Sequence, residues 1–250
     1  MKISIITAVL NNKDYIEGCI QSIQAQTYKN IEHIVIDGGS YDGTKEVLSN
    51  YSNVIDKIII HEEKGLYNAL NKGINEATGD IIGILHADDL YANNYVIEKV
   101  ADVFKRGYID GVYGDLLYVD KSNPEEIIRY WHAGDFKISK LKFGWIPPHP
   151  TLFLKKELYQ MLGLYNPVFT IASDYDLMLR LFLNKEINIS YLDEILVKMR
   201  LGGVSNRNLS CLFLKSCEDY KILRKHSIPF PLLALVMKNC SKFAQFIRKI

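Results

Sequence analysis

The residues from Ile81 to Tyr91 read IIGILHADDLY. An apolar run ends abruptly in HADD, which predicts a buried strand that delivers Asp88 and Asp89 to its carboxyl end. In an open α/β sheet, ligands bind at that edge. Because adjacent carboxylates repel each other, a divalent cation or a sugar hydroxyl between them would stabilise the pair. The alternative is that both aspartates are turn formers that open a helix near Asn93.

Three more apolar runs precede this strand. Between them lie segments whose apolar residues have the spacing of a helix. The runs span Ile3 to Val9, Ile31 to Ile36 and Ile55 to Ile60. The first intervening helix is predicted to bury one face formed by Ile16, Cys19, Ile20 and Ile23. This alternation predicts an α/β domain with a parallel, doubly wound sheet. The first strand runs into AVLNNKDY rather than GxGxxG, which argues against a nicotinamide-dependent enzyme.

The second strand is followed by DGGSYDGT at residues 37–44. Its glycines would let the backbone approach a ligand closely, and Asp37 can accept hydrogen bonds from a base or a ribose. The same residues also fit a plain turn, so both interpretations stay open at this point.

Composition favours one large domain with a short appendix. The chain has 250 residues, of which 48% are hydrophobic, enough for a real core. The formal net charge is +1, yet residues 221–250 hold seven Lys or Arg and no Asp or Glu. A mildly acidic body with a basic tail favours contact with a membrane surface over binding to nucleic acid.

The spacing of the cysteines and the length of the apolar runs indicate the cellular compartment of the protein. The four cysteines lack metal-binding spacing, so we expect free thiols in a reducing compartment. The apolar run after Lys2 has no small-residue cleavage site, and no run reaches the ~18 residues of a membrane-spanning helix. These features predict a cytoplasmic protein.

The second half of the chain predicts two antiparallel strands and a long loop. The strands span Gly111 to Val119 and Ile127 to Tyr130, and the loop runs from Trp131 to Pro150. Loops of this length in a compact domain are often functional. Within the loop, His149 could contact an anionic substrate, although a histidine between prolines more often has a structural role.

The segment SDYDLMLRLF, residues 173–182, predicts an amphipathic helix. Ser173 and Asp176 have the spacing of a capping box, which would account for Asp176. Asp174 is not explained by that cap and is a candidate general base. The alternative role for Asp174 is a favourable partner of the helix dipole.

Four of these motifs, taken together, resemble a known family. In order and spacing, DGGSYDGT, EKGLYNALNKGINEATGD, HADD and SDYDLMLRL resemble the family 2 inverting glycosyltransferases with the GT-A fold. The likeness covers roughly residues 1 to 200 and is greatest to bacterial members that build O-antigen, capsule or exopolysaccharide units. It implies a Rossmann-like, mixed but mainly parallel sheet flanked by helices. The implied division is a GT-A domain at 1–205, with a nucleotide-binding half at 1–90 and an acceptor half at 91–205, followed by C-terminal basic amphipathic helices at 206–250.

The resemblance assigns roles to individual residues. It implies that Thr7 and Asp37 hold the base and ribose of the donor. Asp88 matches the last acid of the DxD motif, which binds a divalent cation, Mn²⁺ or Mg²⁺, that bridges the donor phosphates. Asp174 matches the acid of the later ED motif, the catalytic base.

The chain departs from the family pattern at two positions. His86 stands at the first position of DxD, and Ser173 stands where the family has Glu. With one carboxylate fewer for the metal, two outcomes are open: the affinity for the cation is low, or His86 joins the metal ligands. Further contacts to the nucleotide-sugar are implied for Asn11, Lys64, Asn71 and Asp89, and contacts to acceptor or phosphate for Trp145 and His149.

The reaction implied is transfer of a hexose from a UDP-sugar to a saccharide on polyprenyl diphosphate, forming a β-linkage. A sugar hydroxyl is too weakly acidic to attack unaided, so a carboxylate must take its proton. Three alternatives remain: transfer to a polyprenyl phosphate, nucleotidyl transfer, and a non-catalytic nucleotide-sugar binding module. Nucleotidyl transfer would need a Gly- and Lys-rich first loop, which AVLNNKDY is not, and Asp174 argues against a non-catalytic module.

The C-terminal tail predicts helices with a basic, amphipathic character. A helix fits Leu209 to Lys225, and prolines at 229 and 231 then break the chain. Beyond them, an apolar face is formed by Phe243, Phe246, Ile247 and Ile250, and a basic face by Lys238, Lys242 and Lys249. Residues 229–250 are therefore predicted to lie on anionic lipid at the inner face of the bacterial inner membrane. The alternative is packing against the domain or a second subunit, which would make the protein a homodimer.

Overall fold

The computed structural model of the protein describes residues 1–61, 63–202 and 209–244. Its first half alternates strands and helices, as the sequence predicts. The elements are β1 (Ile3–Val9), α1 (Ile16–Gln24), β2 (Ile31–Asp37), α2 (Thr44–Asn50), β3 (Lys57–Ile60), α3 (Leu66–Glu76) and β4 (Ile81–Ile84). The four strands pair in parallel in the order β3-β2-β1-β4, so their carboxyl ends lie at one edge of the sheet.

The second half extends the same sheet with mostly antiparallel pairs. Its elements are β5 (Leu90–Tyr91), α4 (Val96–Lys105), β6 (Gly111–Val119), β7 (Ile127–Trp131), β8 (Phe153–Lys155), α5 (Lys156–Leu162), α6 (Ser173–Leu183) and β9 (Ile189–Arg200), with short 3-10 helices at Ile138–Phe143 and His149–Thr151. β8 lies antiparallel between β4 and β6, and the path continues through β9 to β5. β7 pairs antiparallel with β6, which confirms the predicted hairpin. The described residues form one mixed sheet of nine strands, in agreement with the predicted α/β class.

Helices cover both faces of this sheet and create two cores. One core holds the predicted inner face of α1 with Ile3 and Ile5 of β1. The other holds Ile6 and Ala8 of β1 with α3 and α6. Because successive side chains of a strand point to opposite faces, β1 is buried on both sides, which explains its continuous apolar run.

The start of α6 differs from the prediction. The residue before the helix is Ala172, and no side chain caps the helix. The Ser173 hydroxyl is buried without a hydrogen-bond partner, so the predicted capping box is wrong. Asp176 instead accepts hydrogen bonds from Arg180 in the next turn and from Lys225 and His226 near the C-terminus.

The C-terminal chain folds back onto the domain as α7 (Leu209–Lys225) and α8 (Pro231–Ala244). α8 packs against the backbone at Gly144, where an added Cβ would lie 2.5 Å from the Ala234 carbonyl oxygen. Lys238 of α8 is 8% exposed and pairs with Asp219 of α7 at 2.8 Å. The predicted placement of Lys238 on a lipid-facing surface is therefore wrong.

Other predictions for the tail fall outside the structure. Phe246, Ile247, Lys249 and Ile250 lie beyond the described residues, as does the predicted boundary between 205 and 206. Cys19, Cys217 and Cys240 are free thiols, as predicted. Among helices in the described ranges, none combines the length and hydropathy that crossing a membrane requires.

Candidate active site

The loops after β1 and β2 are joined by hydrogen bonds at the carboxyl edge of the sheet. The Asp37 carboxylate accepts from the backbone N–H of Ser40 at 3.0 Å and from its hydroxyl at 2.6 Å. The Ser40 hydroxyl in turn accepts from the N–H of Asn11 at 2.9 Å, and the Asn11 side chain accepts from the N–H of Tyr41 at 2.9 Å. Asp37 is only 1% exposed. The Asp37 carboxylate therefore holds the loop after β2 together, and its predicted contact to the base or ribose of a donor stays a prediction.

Thr7 is also withdrawn from the surface. It has no exposed area, and its hydroxyl lies 3.1 Å from Nε2 of His33 and 3.9 Å from Sγ of Cys19 on α1. The pleat of β1 turns Thr7 toward α1, whereas Ala8 points to the opposite face. The hydroxyl of Thr7 therefore faces His33 and Cys19 in the structure, and its predicted contact to the donor stays a prediction.

The turn after β4 separates the two adjacent aspartates. Asp89 is 1% exposed and accepts a hydrogen bond from the backbone N–H of Arg200, while the Arg200 guanidinium donates to the Asp88 carbonyl at 2.6 Å. Burial, together with the charge of Asp88, raises the pKa of Asp89 well above its usual range. Asp89 is therefore buried and bonded to the backbone of Arg200, and its predicted contact to the nucleotide-sugar stays a prediction. Asp88 stays partly exposed, and α4 begins only at Val96, so these aspartates do not open that helix.

His86, His149 and Asp174 lie together at this edge, although they are far apart in sequence. Nε2 of His86 is 3.1 Å from Nε2 of His149, and Nδ1 of His149 is 3.3 Å from a carboxylate oxygen of Asp174. Burial lowers the pKa of His149 to about 4 despite the carboxylate of Asp174 beside it. Burial also lowers the pKa of His86, although Asp88 and Asp174 oppose the shift. Both imidazoles are consequently neutral at pH 7.

Asp174 occupies the first turn of α6, and its side chain is 21% exposed. Burial by itself would raise the pKa of Asp174, but His149 and the cations of Lys215 and Lys238 outweigh that effect and lower it. The Tyr67 hydroxyl lies 3.2 Å from the Asp174 carboxylate and 2.7 Å from the carbonyl oxygen of Ile171. The result is an ionised, accessible carboxylate at a helix N-terminus, which can accept a proton from a substrate.

Three other residues were predicted to contact the donor or the acceptor. The Asn71 side chain donates to the Tyr165 carbonyl at 2.8 Å and accepts from the Tyr165 N–H at 3.0 Å, so it joins α3 to the chain before α6. Trp145 donates to the Ala133 carbonyl at 3.2 Å and stacks on Phe136. The predicted ligand contacts of Asn71 and Trp145 stay predictions. Lys64 is exposed in the loop between β3 and α3.

A second polar cluster was not predicted from the sequence. Asp115 of β6, His132 after β7 and Asp193 of β9 bring potential ligand atoms within 4.8 Å of one another. The buried Asp115 carboxylate already accepts hydrogen bonds from the Tyr191 hydroxyl and the Ala133 N–H, and lies 2.8 Å from His132. These residues lie on or directly after three separate strands, so no local sequence pattern could have indicated the cluster.

The residues near Asp174 fit a divalent cation. His86 and the partly exposed Asp88 are two positions apart after β4 and offer an imidazole nitrogen and a carboxylate oxygen. Transition-metal ions such as Mn²⁺ accept this mixed set, whereas Mg²⁺ prefers oxygen ligands alone. The carboxyl edge of the sheet therefore combines a candidate cation site with a candidate general base.

Comparison with known proteins supports this interpretation. Residues 4–173 match the model of the family described as glycosyl transferase family 2. A protein from Mycobacterium tuberculosis named PGL/p-HBAD biosynthesis glycosyltransferase is 30% identical over 217 residues, which cover 85% of this chain and 82% of the relative.

Solved structures share the fold at low identity. S. aureus TarS 1-349 aligns with a TM-score of 0.69 and 19% identity over 99% of this chain and 71% of that one, although this chain covers only 43% of a longer TarS structure. Glucosyl-3-phosphoglycerate synthase from Mycobacterium tuberculosis, solved with Mn²⁺, UDP and glucosyl-3-phosphoglycerate, aligns with a TM-score of 0.64 and 19% identity over 91% and 81% of the two chains. These likenesses confirm the predicted GT-A fold.

Proposed function

The chain belongs to glycosyl transferase family 2, and we propose that it transfers a hexose from a UDP-sugar to a saccharide on polyprenyl diphosphate, inverting the anomeric carbon to a β-linkage. The reaction would add a sugar to a bacterial surface polysaccharide such as an O-antigen or capsule unit. The observation that carries the proposal is the ionised Asp174 carboxylate beside His149 and His86.

Asp174 is the proposed general base. As the acceptor oxygen forms its bond to the anomeric carbon, the carboxylate takes the hydroxyl proton and the bond from that carbon to UDP breaks. Attack from the side opposite to UDP is a single displacement, which inverts the configuration. The N–H of a neutral His149, 3.3 Å away, can orient the carboxylate without consuming its charge.

Asp88 and His86 are the proposed ligands of a divalent cation, Mn²⁺ or Mg²⁺. When bound, such a cation stabilises the negative charge that grows on the departing nucleotide diphosphate. Asn11, in the loop after β1, and the exposed Lys64 are the proposed contacts to the nucleotide-sugar. His149, beside Asp174, is the proposed contact to the acceptor or a phosphate.

We propose further that α7 and α8 rest on an anionic membrane surface. α8 turns Ala234 and Lys238 toward the domain and an apolar face outward. The outward set comprises Phe230, Leu232, Leu233, Val236 and Met237, exposed by 76, 66, 49, 52 and 41%. Soluble surfaces rarely keep so many neighbouring apolar side chains in water.

The charges beside this apolar face favour lipid over a protein partner. Lys221 and Arg224 of α7 are exposed, and residues 221–244 contain no Asp or Glu. Each basic residue near anionic lipid contributes ~1 kcal/mol of attraction. Such docking would place the chain at the cytoplasmic face of the membrane, where a lipid-linked acceptor is presented.

A transfer assay tests the function directly. The full chain would be incubated with Mn²⁺, a panel of UDP-hexoses and a monosaccharide on polyprenyl diphosphate, and the anomeric configuration of any product determined by NMR. A β-linked disaccharide lipid is expected. Transfer to bare polyprenyl phosphate instead would identify the acceptor as the lipid phosphate. Calorimetry with UDP, GDP and CMP, each with Mn²⁺ or chelator, tests the donor: binding of GDP alone would overturn the choice of UDP.

A further inference from the structure

One carboxylate of α7 holds the chain immediately before the proposed base. Glu218 is 5% exposed and accepts hydrogen bonds from the N–H groups of Thr170, Ile171 and Ala172, each at 2.9 Å. It also accepts from the Thr170 hydroxyl at 3.0 Å. Three consecutive backbone amides therefore converge on a single side chain from the C-terminal extension.

These amides lead directly into α6. Ala172 precedes the first residue of the helix, and α6 has no side-chain cap of its own. On the other side of the same loop, the Ile171 carbonyl accepts the Tyr67 hydroxyl at 2.7 Å. Glu218 therefore holds the N–H groups of residues 170–172, and Tyr67 holds the carbonyl of Ile171. The last of these residues, Ala172, is two positions before Asp174.

The position of Glu218 is itself fixed by contacts along α7. Lys225, at the end of α7, lies 2.8 Å from the Asp176 carboxylate of α6. Asp219, next to Glu218, pairs with Lys238 of α8 at 2.8 Å. α7 therefore contacts the loop before Asp174 through Glu218 and the helix after it through Lys225, and its register sets where the Glu218 carboxylate meets the loop.

We propose that Glu218 is a positioning residue for Asp174: by binding residues 170–172 it sets the direction of the Asp174 carboxylate toward the acceptor hydroxyl. The C-terminal extension is then part of the active site, although it lies beyond the residues 4–173 that match the family. This inference rests on the proposed role of Asp174 as the base.

Glu218→Gln is the principal test. The substitution keeps the size of the side chain but replaces one accepting oxygen with an NH₂ group, which would face backbone donors and leave them unpaired. Because a misplacement of about 1 Å can cost about 100-fold in rate, we expect kcat to fall about 10- to 100-fold. The affinity for UDP with Mn²⁺, measured by calorimetry, should stay within about twofold, since the nucleotide is bound by other loops. Glu218→Asp keeps the charge but is shorter by one methylene, so partial recovery of kcat is expected.

Glu32→Gln is a matched control. Glu32 is 2% exposed and accepts hydrogen bonds from Ser4, Lys2 and both the N–H and the hydroxyl of Thr78, at the amino end of the sheet. The Glu32→Gln variant should lose about as much thermal stability as Glu218→Gln while keeping the wild-type kcat. An equal fall in kcat for Glu32→Gln would mean that lost stability, and not positioning, explains the effect.

A double-mutant cycle separates this inference from the proposed function. If Glu218 acts through Asp174, then Glu218→Gln should not lower the residual turnover of Asp174→Asn any further. Full additivity of the two losses would overturn the positioning role. Retained turnover in Asp174→Asn alone would overturn the proposed base. An inactive Asp174→Asn together with wild-type kcat in folded Glu218→Gln would overturn only this inference.

Discussion

Nδ1 of His149 lies 3.3 Å from a carboxylate oxygen of Asp174. Because the carboxylate is ionised and the imidazole neutral, the His149 proton belongs on Nδ1, and its Nε2 must then accept from Nε2 of His86, 3.1 Å away. This order of hydrogen bonds leaves Nδ1 of His86 without a proton and so able to bind a cation. His149 therefore links the proposed base to the proposed metal ligand.

Asp174→Asn should abolish most transfer without weakening nucleotide binding. The amide is nearly isosteric with the carboxylate but cannot accept the acceptor proton, so kcat is expected to fall by about 10²- to 10⁴-fold. Turnover of a UDP-hexose and calorimetric binding of UDP would be compared with the wild type. Asp102→Asn, at an exposed ion pair with Lys105, is the control and should keep full activity. Wild-type turnover in Asp174→Asn would remove Asp174 from the role of base.

Substitution of the proposed cation ligands should make UDP binding insensitive to Mn²⁺. His86→Ala and Asp88→Ala each remove one ligand, so both are expected to weaken Mn²⁺-dependent UDP affinity by about 10- to 100-fold. Mn²⁺ binding would be followed by electron paramagnetic resonance and UDP binding by calorimetry. His132→Ala tests the cluster of Asp115, His132 and Asp193 in the same way. Loss of Mn²⁺ in His132→Ala, with normal binding in the other two, would move the cation to that cluster.

The buried Asp176 should make stability depend on pH. Burial would raise the pKa of Asp176, but hydrogen bonds from His226 and Lys225 and the charge of Arg180 lower it to about 2. Since this is below the unfolded value of ~3.9, the ionised carboxylate stabilises the fold fully above pH ~4, and that stabilisation is lost as the pH falls toward about 2.

We therefore expect Asp176→Asn to lower the free energy of unfolding at pH 7 by about 2 kcal/mol or more. The difference from the wild type should shrink at pH 3, where the native carboxylate begins to lose its charge. Urea unfolding followed by circular dichroism at both pH values measures this. Asp102→Asn, with an exposed ion pair, should change stability by less than ~1 kcal/mol. A difference for Asp176→Asn that is as large at pH 3 as at pH 7 would contradict the assignment.

Charge on the outer face of α8 should prevent membrane binding. The double variant Leu233→Asp with Val236→Asp places two carboxylates in the exposed apolar set, which both lowers hydrophobicity and repels anionic lipid. Flotation with vesicles of phosphatidylglycerol and phosphatidylcholine should recover the wild type, but not the variant, in the floating fraction. Tyr108→Asp changes a side chain that is 93% exposed between α4 and β6, and it should float like the wild type. Equal flotation of the double variant and the wild type would exclude α8 as the docking element.

Much of the fold could be predicted because its signals are local. The four parallel strands are short segments rich in Ile and Val, and the inner face of α1 follows from the helical spacing of four residues. The position of Asp88 at the carboxyl edge follows from the end of such a run. The proximity of Asp174 to that edge was implied only by the family resemblance.

The direction in which a side chain faces could not be predicted from such runs. Thr7 and Asp37 lie in or beside strands buried on both faces, and such strands carry no alternation that would show which side chains reach the loops. The capping box predicted at Ser173 is wrong because Asp176 accepts hydrogen bonds from Lys225 at the end of α7 and from His226 directly after it.

The sequence by itself determined the order of strands and helices, the α/β class and the edge of the sheet where ligands bind, because periodicity and short motifs act over a few residues. Only the tertiary structure decided that His149 faces Asp174, that Arg200 holds the turn at Asp88, and that Glu218 holds the loop before Asp174. These contacts join residues that are 25 to 112 positions apart in the sequence. They therefore depend on how the chain packs, and no local sequence pattern indicates them.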